Sequence, residues 1–525
     1  MSTGSSSQLI EALQQARCYD HPVGDIGVEE THISWILLTG TYAYKIKKPV
    51  DLGFLDFSTL EKRRFFCGEE LRLNRRLAPQ LYLDVRPISG TPAHPVMGGR
   101  GTPIEYALRM VQFDPADQFD HLLARDELKA AHLDRIAAIL AQFHGAVEVA
   151  APDSPYGGPA AVWQPVEENF TQIAAMTPEP HRLDHLRGWF EQQRRRRHGA
   201  FIQRKEGGFV RECHGDLHLA NIALYEHEVV IFDCLEFNDK LRWIDVISDA
   251  AFLVMDLDSR GQSALAYRFL NAYLQHSGDY DALPLLPYYL AYRAMVRAKV
   301  ACIRLGQEGL GASERSNEKK EFEDYLMLAE SYSHQTSPML IITHGLSGSG
   351  KTTITQGLIE RLGAIRVRSD VERKRLHGLT AEARSQSGLN NGLYGQAASE
   401  ATYGRLAALS RRIIEGGYSA VIDATFLSRQ RRNDFHRLAD ELGVPFLVLD
   451  FHAPESLLRR WIRERAQAGS DASEADLAVL ESQIAHQDRL AEDEKPWVIR
   501  VDTAREVDME GLSRTIINAK AGAPP

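Results

Sequence analysis

Two sets of residues in this chain have the types and spacing that phosphate chemistry requires. The first is Gly345-Leu-Ser-Gly-Ser-Gly-Lys-Thr352, which fits G-x-x-x-x-G-K-[ST]. It follows the apolar run Met339–Thr343 and opens a helix-forming stretch from Thr353 to Leu362. A strand, a glycine-rich loop and a helix start in that order let backbone N–H groups curl around a polyphosphate. Gly345, Gly348, Ser349 and Gly350 then supply the cradle, and Thr353 continues it into the helix. Lys351 is placed to reach the β- and γ-phosphates of ATP, and Thr352 to bind Mg²⁺. The second set is His214-Gly-Asp-Leu-His-Leu-Ala-Asn221, followed by the strand-like Val229–Asp233. Asp216 and Asn221 are five residues apart, and Asp233 lies twelve beyond Asn221. Phosphoryl transfer uses one carboxylate to receive the acceptor hydroxyl, and an Asn and a second Asp to hold Mg²⁺ against the phosphates.

These groups need elements to position them. Thr31–Leu38 and Thr41–Lys47 read as a hairpin around Gly40, with Lys45 in the second strand. Lys47 and Lys48 compete with Lys45 for a phosphate-binding role. Ser58-Thr-Leu-Glu61 has the form of a capping box, predicting a helix to about Leu77 that carries Glu69 and Glu70. Either could pair with the lysine, and Glu70 is favoured. Strand-like runs follow at Tyr82–Ile88 and Glu105–Val111, then helical stretches at Glu127–Val147 and about Glu167–Arg197. Residues 240–332 also read as mainly helical. The competing reading of the aspartate-rich segment is a turn, with Asp245 and Asp249 as helix caps.

The motif His214-Gly-Asp216…Asn221 with Asp233 resembles the aminoglycoside-phosphotransferase-like branch of the protein-kinase-like fold. The resemblance implies a small β lobe and a large helical lobe over about residues 1–335, with ATP between them. It implies Asp216 as catalytic base, Asn221 and Asp233 as metal ligands, and Lys45 with Glu70 as the ATP-binding pair. Asp233 is followed by Cys-Leu-Glu rather than Phe-Gly, so Glu236 is a candidate for a metal or substrate contact.

Ser333–Pro338 is a polar, proline-containing joint, which places a second domain at 338–525. Five apolar runs follow it: Met339–Thr343, Ile365–Arg368, Ala420–Asp423, Phe446–Phe451 and Val498–Val501. Helical stretches separate them, which predicts an α/β domain with a parallel five-stranded sheet. Asp370 follows one strand, with Arg373 one helical turn on, suiting an acceptor hydroxyl and an acceptor phosphate or transition state. Asp370 could equally cap a helix. Asp423 ends another strand, at the position that supports Mg²⁺. Arg463 and Arg465, in the basic stretch Arg459–Arg465, lead into the polar segment Gly469–Glu474. That is the pattern of a closing lid, or of a solvated helix face.

This half resembles the small P-loop kinases grouped with zeta-toxin, polynucleotide-kinase and gluconate-kinase-like proteins. The fused arrangement resembles bacterial proteins that join such a phosphotransferase to an AAA-type ATPase. The implied activity is transfer of the ATP γ-phosphate to a hydroxyl of a small molecule. The alternatives are a P-loop ATPase or nucleic-acid-end kinase regulated by a nucleotide-binding, kinase-like module.

Bulk properties restrict the partners. The 525 residues carry a formal net charge of −10, which disfavours a long nucleic acid as substrate. The five cysteines are scattered and lack metal-site spacing, as in a reduced, cytoplasmic protein. No run is long and apolar enough for a membrane span.

Overall fold

The computed structural model describes residues 3–53, 55–177, 179–307, 309–381, 383, 395–468, 473 and 475–520. It forms two compact units. One comprises Met1–Arg135, Phe143–Glu168 and Gln193–Asp256, the other Ile136–Gln142, Asn169–Gln192 and Leu257–Pro525.

The first unit opens with an antiparallel sheet of β1 (Gly27–Glu30), β2 (Ser34–Leu38), β3 (Tyr42–Lys47), β4 (Tyr82–Thr91), β5 (His94–Met97) and β6 (Pro103–Val111). The strand order is β1-β2-β3-β6-β4-β5. Strand β3 shows why the sequence Tyr-Ala-Tyr-Lys-Ile-Lys folds this way. Successive side chains alternate faces. Tyr44 and Ile46 enter a core with Leu13, Leu37 and Ile88, which leaves Lys45 and Lys47 together on the other face. The helix Leu60–Asn74 brings Glu70 to those lysines.

The expected capping box is shifted by one residue. Thr59 is the N-cap, accepting from Lys62 N–H at 3.2 Å, because the Ser58 hydroxyl donates instead to Asp56. The long helix expected over Glu167–Arg197 is two helices, Pro159–Met176 and Asp184–Arg196, with a 3-10 turn Pro180–Leu183 between them. Proline keeps the residue before it out of the α region, and Glu179 has φ −123° and ψ 63°. Two short pairings complete the strands of this unit: β7 (Val210–Glu212) with β10 (Trp243–Asp245), and β8 (Ile222–Tyr225) with β9 (Glu228–Ile231). The β8–β9 hairpin separates Asn221 from Asp233, and the helix Val246–Ser259 follows β10.

The second unit contains β11 (Leu340–His344), β12 (Ile365–Arg368), β13 (Ala420–Asp423), β14 (Phe446–His452) and β15 (Val498–Asp502). All pairings are parallel, in the order β12-β13-β11-β14-β15. Strands buried on both faces read as unbroken apolar runs, and every residue of β11 and β13 is buried. The helices Lys351–Leu362 and Met509–Lys520 bury Leu358, Ile359, Leu512 and Ile516 against this sheet. The helix Ser263–Ser277 packs on Lys351–Leu362 within the same unit. Parallel order puts the C-terminal ends of β12, β13 and β11 side by side, so Asp370, Asp423 and the glycine loop gather at one edge. No described helix is long and apolar enough to cross a membrane.

Candidate active sites

In the first unit, Glu70 bridges two lysines. Its Oε1 lies 2.7 Å from Lys45 Nζ, and its Oε2 accepts from Lys47 Nζ at 2.6 Å. Lys45 also donates to Asp233 Oδ1 at 2.7 Å, and Lys47 to Glu236 Oε1. Glu69 is not part of this cluster and pairs with Arg72 at 2.8 Å, while Lys48 pairs with Glu30. Burial disfavours the Glu70 carboxylate, but the two lysines outweigh it and hold its pKa down at about 2. Burial likewise opposes the Lys45 charge, and Asp233 and Glu70 reverse this, holding its pKa well above the ordinary value. Glu236 goes the other way: burial pushes its carboxyl up despite Lys47.

Asp233 adopts a left-handed backbone (φ 61°), with its N–H given to the Tyr82 hydroxyl at 3.1 Å. Aspartate tolerates that region better than most residues, and such conformations collect at functional sites. Beside it is a cavity of about 340 Å³ lined by Lys45, Tyr82 and Asp233 and by the apolar Leu38, Ala43, Met110 and Phe232.

The loop carrying Asp216 is held from below. The buried Asp249 carboxylate accepts from His214 N–H at 3.0 Å, Gly215 N–H at 2.9 Å and the His144 ring at 3.1 Å. Gly215 has φ 90°, and a Cβ there would stand 2.9 Å from Leu241 O. Asp216 N–H donates to His214 Nδ1, so the ring proton sits on Nε2 and is given to Phe232 O at 2.8 Å. Asn221 Nδ2 donates to Asp216 O at 2.9 Å and to its Oδ2 at 3.2 Å, which aims a carboxylate that is 39% exposed. Asp249 thus anchors the loop. Asp245 does bond the nearby Ile247 N–H, as a cap would.

In the second unit the glycine loop leaves the central strand β11. Gly345 has φ 141°, and a Cβ there would stand 2.5 Å from Phe451 O, so a side chain is excluded. Lys351 folds back over the loop, donating to Gly345 O at 3.0 Å and Leu346 O at 2.7 Å. Burial pushes its ammonium down to about 8, against the pull of Asp423 and Asp370. Thr352 Oγ1 donates to Asp423 Oδ2 at 2.7 Å, which brings together a hydroxyl and a carboxylate of the kind that bind Mg²⁺. A cavity of about 770 Å³ lies here. It is lined by Gly348, Ser349, Gly350, Lys351, Thr352, Thr353, Asp370, Arg373, Asp423 and Arg465, among others. Arg465 also donates to Ala475 O at 2.6 Å. Arg463, two residues earlier, is exposed and does not line the cavity. Of the expected lid, Gly469–Ala472 and Glu474 lie outside the described residues.

Several contributors carried no readable sequence signal. Gln483 accepts from Ser347 N–H at 2.8 Å and donates to its hydroxyl at 3.0 Å, fixing the outer arm of the glycine loop. Tyr82 and Asn74 hold the backbone of Asp233 and Cys234, Asn74 accepting from Cys234 N–H at 2.8 Å. Each is a single polar residue whose partner is remote in sequence.

The folds and the two constellations define a kinase-class phosphotransferase joined in one chain to a P-loop, kinase-like domain. Residues 66–286 match the Phosphotransferase enzyme family, and residues 340–490 match the AAA domain. Over 480 residues, 90% of this chain and 93% of the relative, the chain is 32% identical to "Uncharacterized protein Rv2004c" of Mycobacterium tuberculosis. The same identity and coverage hold for "Uncharacterized protein Mb2027c" of Mycobacterium bovis. The chain belongs to the family of these mycobacterial proteins. Among solved structures, amicoumacin kinase hAmiN, in complex with AMP-PNP, Ca²⁺ and Ami, is similar at 13% identity. That match covers 62% of this chain and 96% of that one, with a TM-score of 0.41. A sugar kinase from Janibacter sp. HTCC2649 is similar at 21% identity over 36% of this chain and 96% of that one, with a TM-score of 0.28.

Proposed function

We propose that the enzyme moves the γ-phosphate of ATP to a hydroxyl of a small molecule and that it holds ATP with Mg²⁺ at two places. The observation that carries this reading is the ion-paired set Lys45, Glu70 and Asp233 beside a largely apolar cavity, in the unit where Asn221 aims Asp216. We take the two functional segments to be residues 1–335 and 338–525, acting in the cytoplasm. At the first site, Lys45 binds phosphate and Asp216 receives the proton of the acceptor hydroxyl. The hydroxyl oxygen forms the new O–P bond, and ADP departs with the bridging oxygen. Asn221 and Asp233 fit a divalent cation, as do Thr352 and Asp423 at the second site. That cation would supply charge neutralisation between phosphate oxygens.

At the second site the glycine loop and Lys351 bind phosphate, Asp370 faces the acceptor and Arg373 and Arg465 balance charge. Arg463, although exposed, is taken to balance charge there as well. The cavity volume supports room for a nucleotide and a small acceptor together.

The test is label transfer from γ-labelled ATP into a small-molecule extract by the parent, Asp216→Asn and Lys351→Ala. Label in an organic acceptor that disappears in either variant is the expected result and assigns the chemistry to a site. Label found only as free phosphate, and lost in Lys351→Ala alone, would replace this reading by a P-loop ATPase with a kinase-like regulatory module.

A further inference from the structure

Strand β12 is an edge of the parallel sheet, and an edge strand presents backbone groups that need partners. The buried side chain of Asn271, from the helix Ser263–Ser277, supplies them. Its Nδ2 donates to Ala364 O at 2.9 Å, and its Oδ1 accepts from Arg366 N–H at 2.7 Å. One amide thereby does what a neighbouring strand would do. The same Nδ2 also donates to Tyr267 O at 2.8 Å within its own helix, which sets its direction.

Arg366, so fixed, puts its guanidinium under the first turn of Lys351–Leu362. Its Nη1 donates to Thr352 O at 2.8 Å and Thr355 Oγ1 at 3.2 Å, and its Nη2 to Gln356 Oε1 at 2.6 Å. Gln356 Nε2 donates to Glu360 Oε1 at 2.8 Å, and Arg268 Nη1 donates to that same oxygen at 2.9 Å. A continuous chain of hydrogen bonds therefore runs from Arg268 to the carbonyl of Thr352, whose hydroxyl meets Asp423.

We propose that Arg268 and Asn271 are positioning residues of the P-loop phosphate site. Both lie in the segment that matches the phosphotransferase family, not in the one that matches the AAA domain. They act through Arg366 and Gln356 on the turn that carries Thr352. The dependence on nucleotide rests on the second ATP site proposed above.

The test uses the full chain. Arg268→Ala, Arg268→Lys and Asn271→Ala are made in an Asp233→Asn parent, so that Mg-ATP binding reads the P-loop site. Hydrogen exchange is followed without nucleotide. The expected result for Arg268→Ala and Asn271→Ala is faster exchange confined to the turn 352–356 and β12, with Mg-ATP binding weakened roughly fivefold to tenfold. Arg268→Lys, which keeps the charge beside Glu360, restores most of the affinity. The Arg268–Glu360 pair is partly exposed, so Arg268→Ala decides the matter where Asn271→Ala fails to fold. Exchange and affinity matching the parent in Arg268→Ala would overturn the proposal, as would exchange rising equally across all five strands. A parent whose binding is untouched by Lys351→Ala would refute the second ATP site itself. The exchange pattern would then decide the positioning role alone.

Discussion

At the scale of single residues, the chemistry depends on charges whose neighbours decide their state. Lys47 is the clearest case. It is 1% exposed and forms ion pairs with both Glu70 and Glu236. Removing one member of a buried ion pair leaves its partner's charge uncompensated. Lys47→Met is therefore expected to destabilise the first unit by about 3–5 kcal/mol. Lys47→Met/Glu236→Gln should recover part of that loss. Equal denaturation midpoints for the single and double variants would refute the network. Lys351 gives a pH prediction. Its folded pKa of about 8 lies below that of an unfolded lysine, so in the window between them the unfolded chain holds more protons. Stability of the nucleotide-free protein should then rise with pH across that window, and the cost of the buried charge is fully present below it. A bound polyphosphate favours the charged amine, so nucleotide binding at a pH of about 9 should take up a proton. Calorimetry in buffers of different ionisation heat measures this directly. Heats independent of buffer, or the same dependence in Lys351→Ala, would contradict it.

At the scale of elements, what was legible in the sequence was what is local. The five strands of the parallel sheet were readable as apolar runs: β11 and β13 are buried throughout, β12 and β15 bury alternate residues, and each ends in a turn or helix signal. Both phosphate motifs were readable because their residues are close in sequence: the glycine loop is one short run, and a single hairpin separates Asn221 from Asp233. Strands β1 and β5 were missed: β1 is exposed throughout and β5 has only four residues, so neither has a strong pattern. The helix start at Thr59 was misplaced by one residue because Ser58 and Thr59 are chemically equivalent caps until the Asp56 turn claims one of them. That cap matters, since the helix it starts carries Glu70. Thr59→Ala should cost about 1 kcal/mol. It should speed hydrogen exchange at the Lys62 amide while leaving the parallel sheet unaffected. Unchanged protection at Lys62 would show that the helix start does not need the hydroxyl.

At the scale of the whole molecule, the contacts that complete each site come from far along the chain. Lys45 meets Asp233 across 188 residues, and Thr352 is steadied by a path that begins at Arg268. No motif reports such pairs, because spacing in sequence fixes neighbours only within a turn, a helix or a hairpin. Compact units that take in segments from several parts of the chain have the same cause: helices pack where their apolar faces fit, whatever their order.

The amide of Asn271 on the flank of β12 has one more consequence. A strand edge with open N–H and C=O groups is a template for another strand, and proteins blunt such edges. In this molecule the blunting device is encoded outside the segment that forms the sheet. A fragment cut at the Ser333–Pro338 joint would keep its nucleotide motif intact and lose the cover, exposing Ala364 and Arg366 to strand addition between copies. The joint that looks like the natural place to divide the gene is thus the place where division would trade a covered edge for a self-associating one.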